Sequence, residues 1–344
     1  MRTIPAALAA ACSVLLAAGC GSGGTSHTHE PVHPAAVAST LPTVAPTHRR
    51  AEVWPLTGEP RTTALVPALS VKVDNTAAAR PQSGLNDADM VVDCLVEGGL
   101  SRLFAVYESH PAATIGPIRS ARPVDGALLR ALNGGIFAYS GAATGEIAPA
   151  KAYSTSVLLS NDADPRPFHR TARRAPWNVY SSTDSLRAEA ARVASPAKTP
   201  SPWFSFGPAT PGATPAGRLH VVIGSAASAS WVYRAGRYVR EQDGTPDVLA
   251  DGSQVSAADV VVLRVTVGHS GIVDQAGNED PYVHAYGSGS ALVLRDGVAE
   301  RGTWSRPSPT SPWSFRTKAR GPLTLAPGRV WVELVPMTGS ATLR

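Results

Sequence analysis

Short apolar runs typical of strands and of helices follow one another along the first half of the chain. Three short runs read as strands, at residues 69–73, 103–107 and 136–139, and the first of them has apolar residues in alternation. Two other runs space their apolar residues as helices do, at 87–97 and 123–132. Asp87 can cap the first of these helices, and Pro123 suits the first turn of the second. The order strand, helix, strand, helix, strand predicts an α/β layer with some parallel pairing over residues 53–200.

The second half of the chain changes to short strands punctuated by turns. Candidate strands lie at residues 219–223, 230–233, 237–240, 260–267, 291–294 and 330–335. Aspartate–glycine pairs favour tight hairpin turns, and they occur at Asp243-Gly244, Asp251-Gly252 and Asp296-Gly297. Residues 201–344 are therefore expected to form a mainly β domain, either a sandwich or a partly open barrel. The predicted fold class is α+β, with an amino-terminal α/β domain followed by a mainly β carboxy-terminal domain.

The amino terminus has the layout of a secretory leader. Arg2 supplies a positive charge, and residues 6–18 are almost entirely apolar. This run is shorter than the roughly 20 apolar residues that span a bilayer, so we interpret residues 1–19 as a signal peptide. Residues 17–20 resemble the lipobox of bacterial lipoproteins, in which the cysteine is acylated, and this makes Cys20 the predicted lipidation site. Ordinary secretion with an incidental cysteine is the alternative.

Residues 20–52 form the predicted tether between the lipid and the fold. They are rich in Gly, Ser, Thr, Pro, Ala and His and have few large apolar side chains. Such a segment cannot bury enough surface to offset the entropy of ordering it. Histidines are scattered through it, at His27, His29, His33 and His48. Metal binding by these histidines is the alternative to an unliganded tail, and neither a metal site nor a cofactor is predicted.

The charge balance is mildly basic, with 31 Lys and Arg against 26 Asp and Glu and a formal net charge of +5. Cleavage of the leader removes Arg2 and leaves 30 basic residues against 26. This excess suits anionic lipid headgroups or anionic wall polymers. Neither the charge nor export from the cytoplasm suggests a nucleic-acid partner.

Cysteine usage excludes an internal disulfide in the mature fold. Of the three cysteines, Cys12 leaves with the leader and Cys20 carries the lipid, so Cys94 remains alone. It lies in the apolar stretch 91–96, where a thiol acts as a small hydrophobic group. A catalytic cysteine is not predicted.

Polar residues stand where the predicted strands end, at Asp74, Glu108 and Tyr139. Ligands tend to bind at the carboxyl ends of parallel strands, because the loops converge there. A guanidinium can grip a carboxylate or phosphate through two bonds, and arginines before a helix start add to its affinity for anions. We therefore predict an anion-recognising cleft formed by Asp74, Arg80, Glu97, Arg102, Arg119 and Arg122. The alternative is that these arginines pair with carboxylates to hold loops in place.

The predicted helix at 87–97 places three carboxylates on one face, since Asp89, Asp93 and Glu97 are four residues apart. Paired carboxylates can perform acid–base chemistry where their surroundings separate their pKa values. A solvated acidic face is the alternative. The sequence has no glycine-rich phosphate loop, no His-Glu-x-x-His motif and no nucleophile elbow at Ser140.

Several longer stretches resemble the signatures of YerB-like bacterial lipoproteins. They are residues 79–85, 88–91, 95–102, 115–123, 287–291 and 327–336, the fourth of which contains Arg119-Ser120-Ala121-Arg122-Pro123. The resemblance implies an envelope lipoprotein with two domains of unknown function, and it implies no reaction. The chain departs from the family pattern at Trp177-Asn178, where a His-Asn pair is usual, and near residues 139–141, where a histidine is usual.

Together these features predict a membrane-anchored lipoprotein on the extracytoplasmic face of the cell membrane. The leading hypothesis is a non-catalytic protein that binds an anionic cell-envelope component or an envelope protein through the predicted cleft. The alternative is a hydrolase or transferase that acts on a cell-wall polymer, with Glu97 or Asp74 as the acid–base group. A scaffold whose β domain docks onto a membrane complex is a third hypothesis.

Overall fold

The computed structural model describes residues 52–143, 145–151, 156–193, 198–274, 277–319 and 321–344. The predicted leader, Cys20 and all of the predicted tether except Glu52 lie outside the described residues. No helix within the described part of the chain is long and apolar enough to cross a membrane.

The described residues before 200 contain seven strands and three α-helices. The strands are β1 (Leu69–Asp74), β2 (Met90–Leu95), β3 (Ser101–Tyr107), β4 (Gly135–Tyr139), β5 (Ser156–Ser160), β6 (His169–Arg170) and β7 (Val179–Tyr180). The helices are α1 (Pro123–Ala131), α2 (Ala148–Lys151) and α3 (Thr183–Val193). Short 3-10 turns cover Ala77–Ala79 and Glu97–Gly99.

The described residues after 200 are all strand, turn or loop. Their strands are β8 (Thr214–Pro215), β9 (Arg218–Gly224), β10 (Ala227–Arg234), β11 (Arg237–Gln242), β12 (Thr245–Pro246), β13 (Ser256–Ala257), β14 (Asp259–Val265), β15 (Val267–Val273), β16 (Glu279–Val283), β17 (Gly287–Arg295), β18 (Val298–Arg306), β19 (Ser314–Thr317), β20 (Val330–Pro336) and β21 (Ser340–Leu343). All six strands predicted here are present, with ends that differ by a few residues. Asp243 and Asp296 adopt positive φ angles beside Gly244 and Gly297, as tight hairpin turns require.

Strands from both halves of the chain pair in one large sheet. Its order is β19-β18-β17-β14-β20-β2-β3-β1-β4-β5, and β8 adds to β18. A second sheet has the order β12-β11-β10-β9-β21, with β13 beside β11. Two ribbons, β15–β16 and β6–β7, stand apart from these sheets.

The fold is largely β, and the α/β layer expected before residue 200 is only partly present. Among the first five strands, β1 pairs in parallel with β4, and β4 pairs in parallel with β5. The neighbouring pairs β1–β3 and β2–β3 are antiparallel. The antiparallel pairs arise because the chain returns along the sheet from β2 to β3 through a short turn, where a parallel connection would need a long crossover.

The helix predicted at 87–97 is wrong, because residues Met90–Leu95 form the central strand β2. This strand is buried on both faces, so its apolar residues run almost without interruption. Val91 packs into one core, and Met90, Val92 and Cys94 pack into the other. An apolar run bounded by Asp87 and Gly98 has the same local appearance as a capped helix, so the periodicity could not separate the two.

The two cores lie on opposite faces of the large sheet. One core includes inward residues of the second sheet, among them Trp231. The ring of Trp231 packs edge-to-face against the ring of Trp331 in β20, with 5.1 Å between the ring centroids. The other includes helix α1 and an aromatic group around Trp203 and Trp313. Ile118 belongs to the first core and Ala121 to the second, so residues of both cores lie in the loop at 118–122, beside the ends of β1 and β4.

Candidate functional site

Five of the six predicted ligand-binding residues come from segments at one edge of the large sheet. We call Asp74, Glu97, Arg102, Arg119 and Arg122 the polar edge. Strands β1 and β2 both run antiparallel to β3, and β4 runs parallel to β1, so β1, β2 and β4 end at the same edge, where β3 begins. Glu108, at the end of β3, therefore lies at the opposite edge, and the expectation that it joins the set is wrong.

Asp74 and Arg119 form the outer pair of the polar edge. Arg119 Nε lies 2.8 Å from Asp74 Oδ2, and the backbone N–H of Thr76 donates to Asp74 Oδ1 at 2.7 Å. The segment that carries Arg119 is fixed along β1, because the N–H of Arg119 donates to the carbonyl of Lys72 at 2.9 Å. Asp74 is fully buried, whereas the side chain of Arg119 keeps 24% of its surface exposed. Arg119 is therefore the group of this pair that an external molecule can contact.

Glu97 lies at the centre of the polar edge. It follows β2 in a tight turn that Gly98 and Gly99 close with positive φ angles of 66° and 71°. Arg102 Nη2 donates to Glu97 Oε1 at 2.6 Å, and Arg122 binds both carboxylate oxygens. Burial opposes ionisation of Glu97, but the two guanidiniums outweigh it and hold the pKa of Glu97 well below its usual range.

Arg122 is shared by three carboxylates. Besides Glu97, its guanidinium lies 3.1 Å from Glu146 Oε1 and 2.8 Å from Asp280 Oδ1. Burial, followed by the contacts with Glu146 and Glu97, raises the pKa of Asp280 to about 9. With Asp280 neutral, the three arginines of the polar edge face three carboxylates, namely Asp74, Glu97 and Glu146.

Neither Glu146 nor Asp280 was found from the sequence. Glu146 comes from the loop before α2, and Asp280 comes from β16, more than 150 residues after Arg122. Nothing local marks either residue, since each is an ordinary acidic residue beside a turn or in a ribbon. Asp280 is buried although the β15–β16 ribbon is mostly exposed, and this burial is set by the tertiary structure.

The start of helix α1 fixes the position of Arg122. Asp125 Oδ2 accepts a hydrogen bond from the backbone N–H of Arg122 at 2.7 Å. Asp125 Oδ1 in turn accepts a 2.8 Å bond from Lys72 Nζ of β1, and both side chains of this ion pair are fully buried. The helix is thus tied to β1 by a charged pair one turn from the polar edge.

Arg102 has unused hydrogen-bonding capacity. Its side chain is 5% exposed, and its Nε and Nη1 atoms are buried without a hydrogen-bond partner among the described residues. Burial and the nearby Arg122 lower the pKa of Arg102. A buried guanidinium with unpaired N–H groups gains most from a further acceptor, because each unmet donor costs about 1–3 kcal/mol.

Arg80 is not part of this group. It forms an ion pair with Asp243 at 2.9 Å, and Asp243 lies in the turn between β11 and β12. Arg80 lines a separate cleft of about 410 Å³ with residues of the 242–249 segment. The prediction that Arg80 joins the other five residues is therefore wrong, because the loop after β1 directs it towards the second sheet.

The predicted acidic face of Asp89, Asp93 and Glu97 does not exist, since these residues are not on a helix. Asp89 accepts the N–H of Ser109 at 2.9 Å, while Asp93 lies 3.2 Å from Arg240 in the core between the sheets. Cys94 is buried and unpaired, and burial raises the pKa of its thiol well above the usual value. Within the described ranges, no group of three or more His, Cys, Asp and Glu side chains could hold a metal ion.

These features define a largely β protein with a buried, arginine-rich polar edge, and comparisons with known proteins place it in a family. Residues 56–195 match the N-terminal domain of a family described as a protein of unknown function (DUF3048), and residues 219–332 match its C-terminal domain. The chain belongs to this family, and the YerB-like resemblance is confirmed.

Two comparisons concern a relative from Bacillus subtilis. The chain is 27% identical over 308 residues to a protein of strain 168 that carries the name lipoprotein YerB, covering 84% of this chain and 88% of that relative. A crystal structure of YerB from Bacillus subtilis is similar with a TM-score of 0.73 and 24% identity, covering 85% of this chain and 99% of that one. This second likeness shows a shared fold.

Proposed function

We propose that this protein is a lipid-anchored lipoprotein whose polar edge binds the anionic group of a cell-envelope polymer on the extracytoplasmic face of the membrane. The observation that carries the proposal is Arg102, a buried guanidinium with two unpaired nitrogen atoms. Arg119 stands at the same edge with part of its side chain exposed. A phosphate or carboxylate that reached both groups would complete the hydrogen bonding of Arg102 and gain two charged contacts.

The charges at the polar edge support binding rather than acid–base catalysis. A general base works best with a pKa near the operating pH, and Glu97 is held far below that by Arg122 and Arg102. Asp74, the other candidate, is fully buried and bonded to Arg119. A hydrolase or transferase that uses either residue is therefore the less favoured function.

The membrane anchor rests on the sequence and on the relative. The leader ends in a cysteine that suits acylation, and the similar Bacillus subtilis protein carries the name of a lipoprotein. The mature chain would then begin at Cys20, with the tether placing the fold beside the membrane. A Cys20→Ala variant should lose its lipid and leave the membrane fraction, and mass spectrometry of the mature amino terminus checks this directly. An unmodified thiol in the wild-type protein would contradict the anchor.

Binding is tested with the purified mature protein and two kinds of anionic probe. Inorganic phosphate and poly(glycerol phosphate) represent phosphate groups, while a carboxylated sugar polymer distinguishes a carboxylate source. Titration calorimetry should give at least a tenfold weaker affinity for Arg102→Gln and for Arg119→Ala, because each removes a charged hydrogen-bonding group worth about 1.5–3 kcal/mol. Affinity should also fall as the salt concentration rises.

Arg80→Ala is the matched control, since it removes an arginine of the same predicted set whose partner is Asp243. It should bind the probes as tightly as wild type does. Equal weakening by all three substitutions would indicate a general effect of net charge and refute a site at the polar edge. Release of soluble fragments from the polymer that disappears in Glu97→Gln would instead establish the enzyme. Capture of an envelope protein with no affinity for any polymer would favour a protein partner.

A further inference from the structure

A second cleft lies against the large sheet beside β21, and we call it the sheet-face cleft. Val262, Leu292 and Arg301 stand side by side on β14, β17 and β18. Residues directly opposite each other on neighbouring strands share a face of the sheet, and Val262 and Leu292 belong to the core that includes the second sheet. Arg301 therefore lies on the face of the large sheet that the second sheet partly covers.

The polar edge belongs to the opposite face. Arg102 stands directly opposite Cys94 on β2 and Asp74 on β1. Cys94 packs into the other core, the one that includes helix α1. The sheet-face cleft and the polar edge are therefore formed by different residues on different faces of the same sheet.

The lining of the sheet-face cleft is basic and contains no acidic residue. The cleft has a volume of about 420 Å³, within the roughly 300–1,000 Å³ of small-molecule sites. One of its walls is β21, the edge strand of the second sheet. The polar side chains that line it are Arg264, Arg301, Ser290 and Ser340. An anion here would meet two guanidiniums and no lining carboxylate.

Arg264 presents its guanidinium in a fixed position. Nη1 donates to the carbonyl of Gly339 and Nη2 to the carbonyl of Met337, each at 2.9 Å, so the turn between β20 and β21 holds the group in place. These two bonds use only part of its five N–H donors. Burial lowers the pKa of Arg264, and no charged neighbour among the described residues offsets that burial. A bound anion would supply the missing opposite charge.

The other three polar groups are available to a ligand. Arg301 is exposed, and it forms no ion pair or hydrogen bond with another described residue. The hydroxyls of Ser290 and Ser340 are likewise exposed and without a hydrogen-bond partner in the described part of the chain. The four groups come from four strands and surround the cleft. Donors on several sides suit the tetrahedral oxygens of a phosphate, whereas a planar carboxylate is satisfied by a single guanidinium fork.

We infer that the sheet-face cleft is a second phosphate-binding site, which takes a further phosphodiester group of the polymer that the polar edge binds. The inference rests on the proposed function for the identity of the polymer, but it uses none of the polar-edge residues. Strands β14, β20 and β2 are parallel, so Arg264, one residue before the end of β14, lies towards the same edge of the sheet as Glu97. A chain that rounds this edge reaches both sites, and two sites on one chain bind more tightly than either alone.

Glycerol phosphate counts the sites, because each molecule carries one phosphate group. Equilibrium dialysis at saturation should find two molecules bound to the wild-type mature protein, and one bound to Arg301→Ala or to Arg102→Gln. Calorimetry with poly(glycerol phosphate) should give about tenfold weaker affinity for Arg301→Ala, because a charged hydrogen-bonding group is lost. Ser290→Ala should weaken it about threefold without any change of charge.

Arg234→Ala is the matched control. It removes the same charge from the end of β10, where the exposed guanidinium of Arg234 lies 3.8 Å from Glu241. This variant should still bind two molecules of glycerol phosphate. If it loses as much affinity as Arg301→Ala does, the effect is one of net charge and the sheet-face cleft is not a site.

The outcomes distinguish this inference from the proposed function. If wild type binds one molecule, which Arg102→Gln loses and Arg301→Ala keeps, the second site is wrong and the polar edge stands. If Arg301→Ala loses that molecule and Arg102→Gln keeps it, binding at the polar edge is wrong and the sheet-face cleft stands. If Arg301 is needed for binding phosphatidylglycerol vesicles but no soluble polymer binds, the ligand is a lipid headgroup and the polymer assignment is overturned. If wild type binds none of these probes, both proposals fail.

Discussion

Loss of the buried charge on Lys72 should destabilise the protein more than most single substitutions do. Lys72 Nζ bonds Asp125 Oδ1 at 2.8 Å, and both side chains have no exposed surface. In Lys72→Met the flexible apolar side chain fills similar space, but Asp125 keeps a buried charge with one remaining hydrogen bond, from the N–H of Arg122. Removing one partner of a buried ion pair costs about 3–5 kcal/mol. Against a typical total stability of about 5–15 kcal/mol, this is a large fraction.

Substitution of both partners should recover most of the loss. In Lys72→Met/Asp125→Asn no charge is left buried, and the side-chain amide oxygen introduced by Asp125→Asn can still accept the N–H of Arg122. Replacing a buried pair by neutral groups is often close to neutral, so the double variant should be at least about 2 kcal/mol more stable than Lys72→Met. The measurement is urea unfolding at one pH, followed by tryptophan fluorescence. Asp125→Asn alone is the fourth protein needed for a double-mutant cycle.

Two results would refute this reasoning. A loss below about 1 kcal/mol for Lys72→Met would mean that the pair is hydrated or that its charges are relieved elsewhere. Additive effects of the two substitutions would mean that the residues are not coupled. The control is Arg80→Ala, which breaks an exposed pair with Asp243 and should cost no more than about 1 kcal/mol.

Three further predictions concern other parts of the fold. Because the pKa of Asp280 is raised to about 9, the folded state holds a proton that the unfolded chain releases, and the free energy of unfolding should fall as pH rises from about 4 to about 9. Asp280→Asn should reduce that fall by up to about 1.4 kcal/mol per pH unit. An unchanged slope of unfolding free energy against pH in urea titrations would contradict this prediction. The buried thiol of Cys94, whose pKa is raised by burial, should resist thiol reagents in the folded protein and react fully in urea, so rapid labelling of the native state would refute this. In Gly224→Ala the added Cβ would lie 2.4 Å from the carbonyl oxygen of Gly99. This clash should lower the free energy of unfolding by about 1–3 kcal/mol. It should also weaken probe binding, because it shifts the turn at Glu97–Gly99 in the polar edge. Gly217→Ala, whose Cβ would meet no atom within 4 Å, is the control, and equal losses of melting temperature in the two variants would contradict the steric argument.

Much of the β architecture could be read from local pattern. The strands that form β9, β10, β11, β14, β17 and β20 were all predicted, because their apolar runs end at turn residues. Helix α1 was predicted as well, since Pro123 marks its start and its apolar face is periodic. The family resemblance could also be read from contiguous stretches, and the family models confirm it.

Strand β2 shows where local pattern fails. Its residues are apolar on both faces because β3 and β20 flank it and a core covers each side. Part of that environment is created by β20, which lies more than 230 residues later in the chain. The sequence of residues 87–97 alone therefore does not indicate that a strand pairs with it there. A run with apolar residues at adjacent positions fits a helix and a doubly buried strand equally well.

The residues of the polar edge show the same difference between local sequence and tertiary structure. The sequence by itself determined that Arg119 and Arg122 precede a helix and that Asp74 and Glu97 follow apolar runs, because those relations are local. Only the tertiary structure decided that Arg80 turns away to Asp243 and that Asp280 reaches Arg122. The physical reason is that a side chain's type fixes which bonds it can make, whereas the partner it meets depends on how distant strands are brought together, and that is set by the burial of the whole sheet.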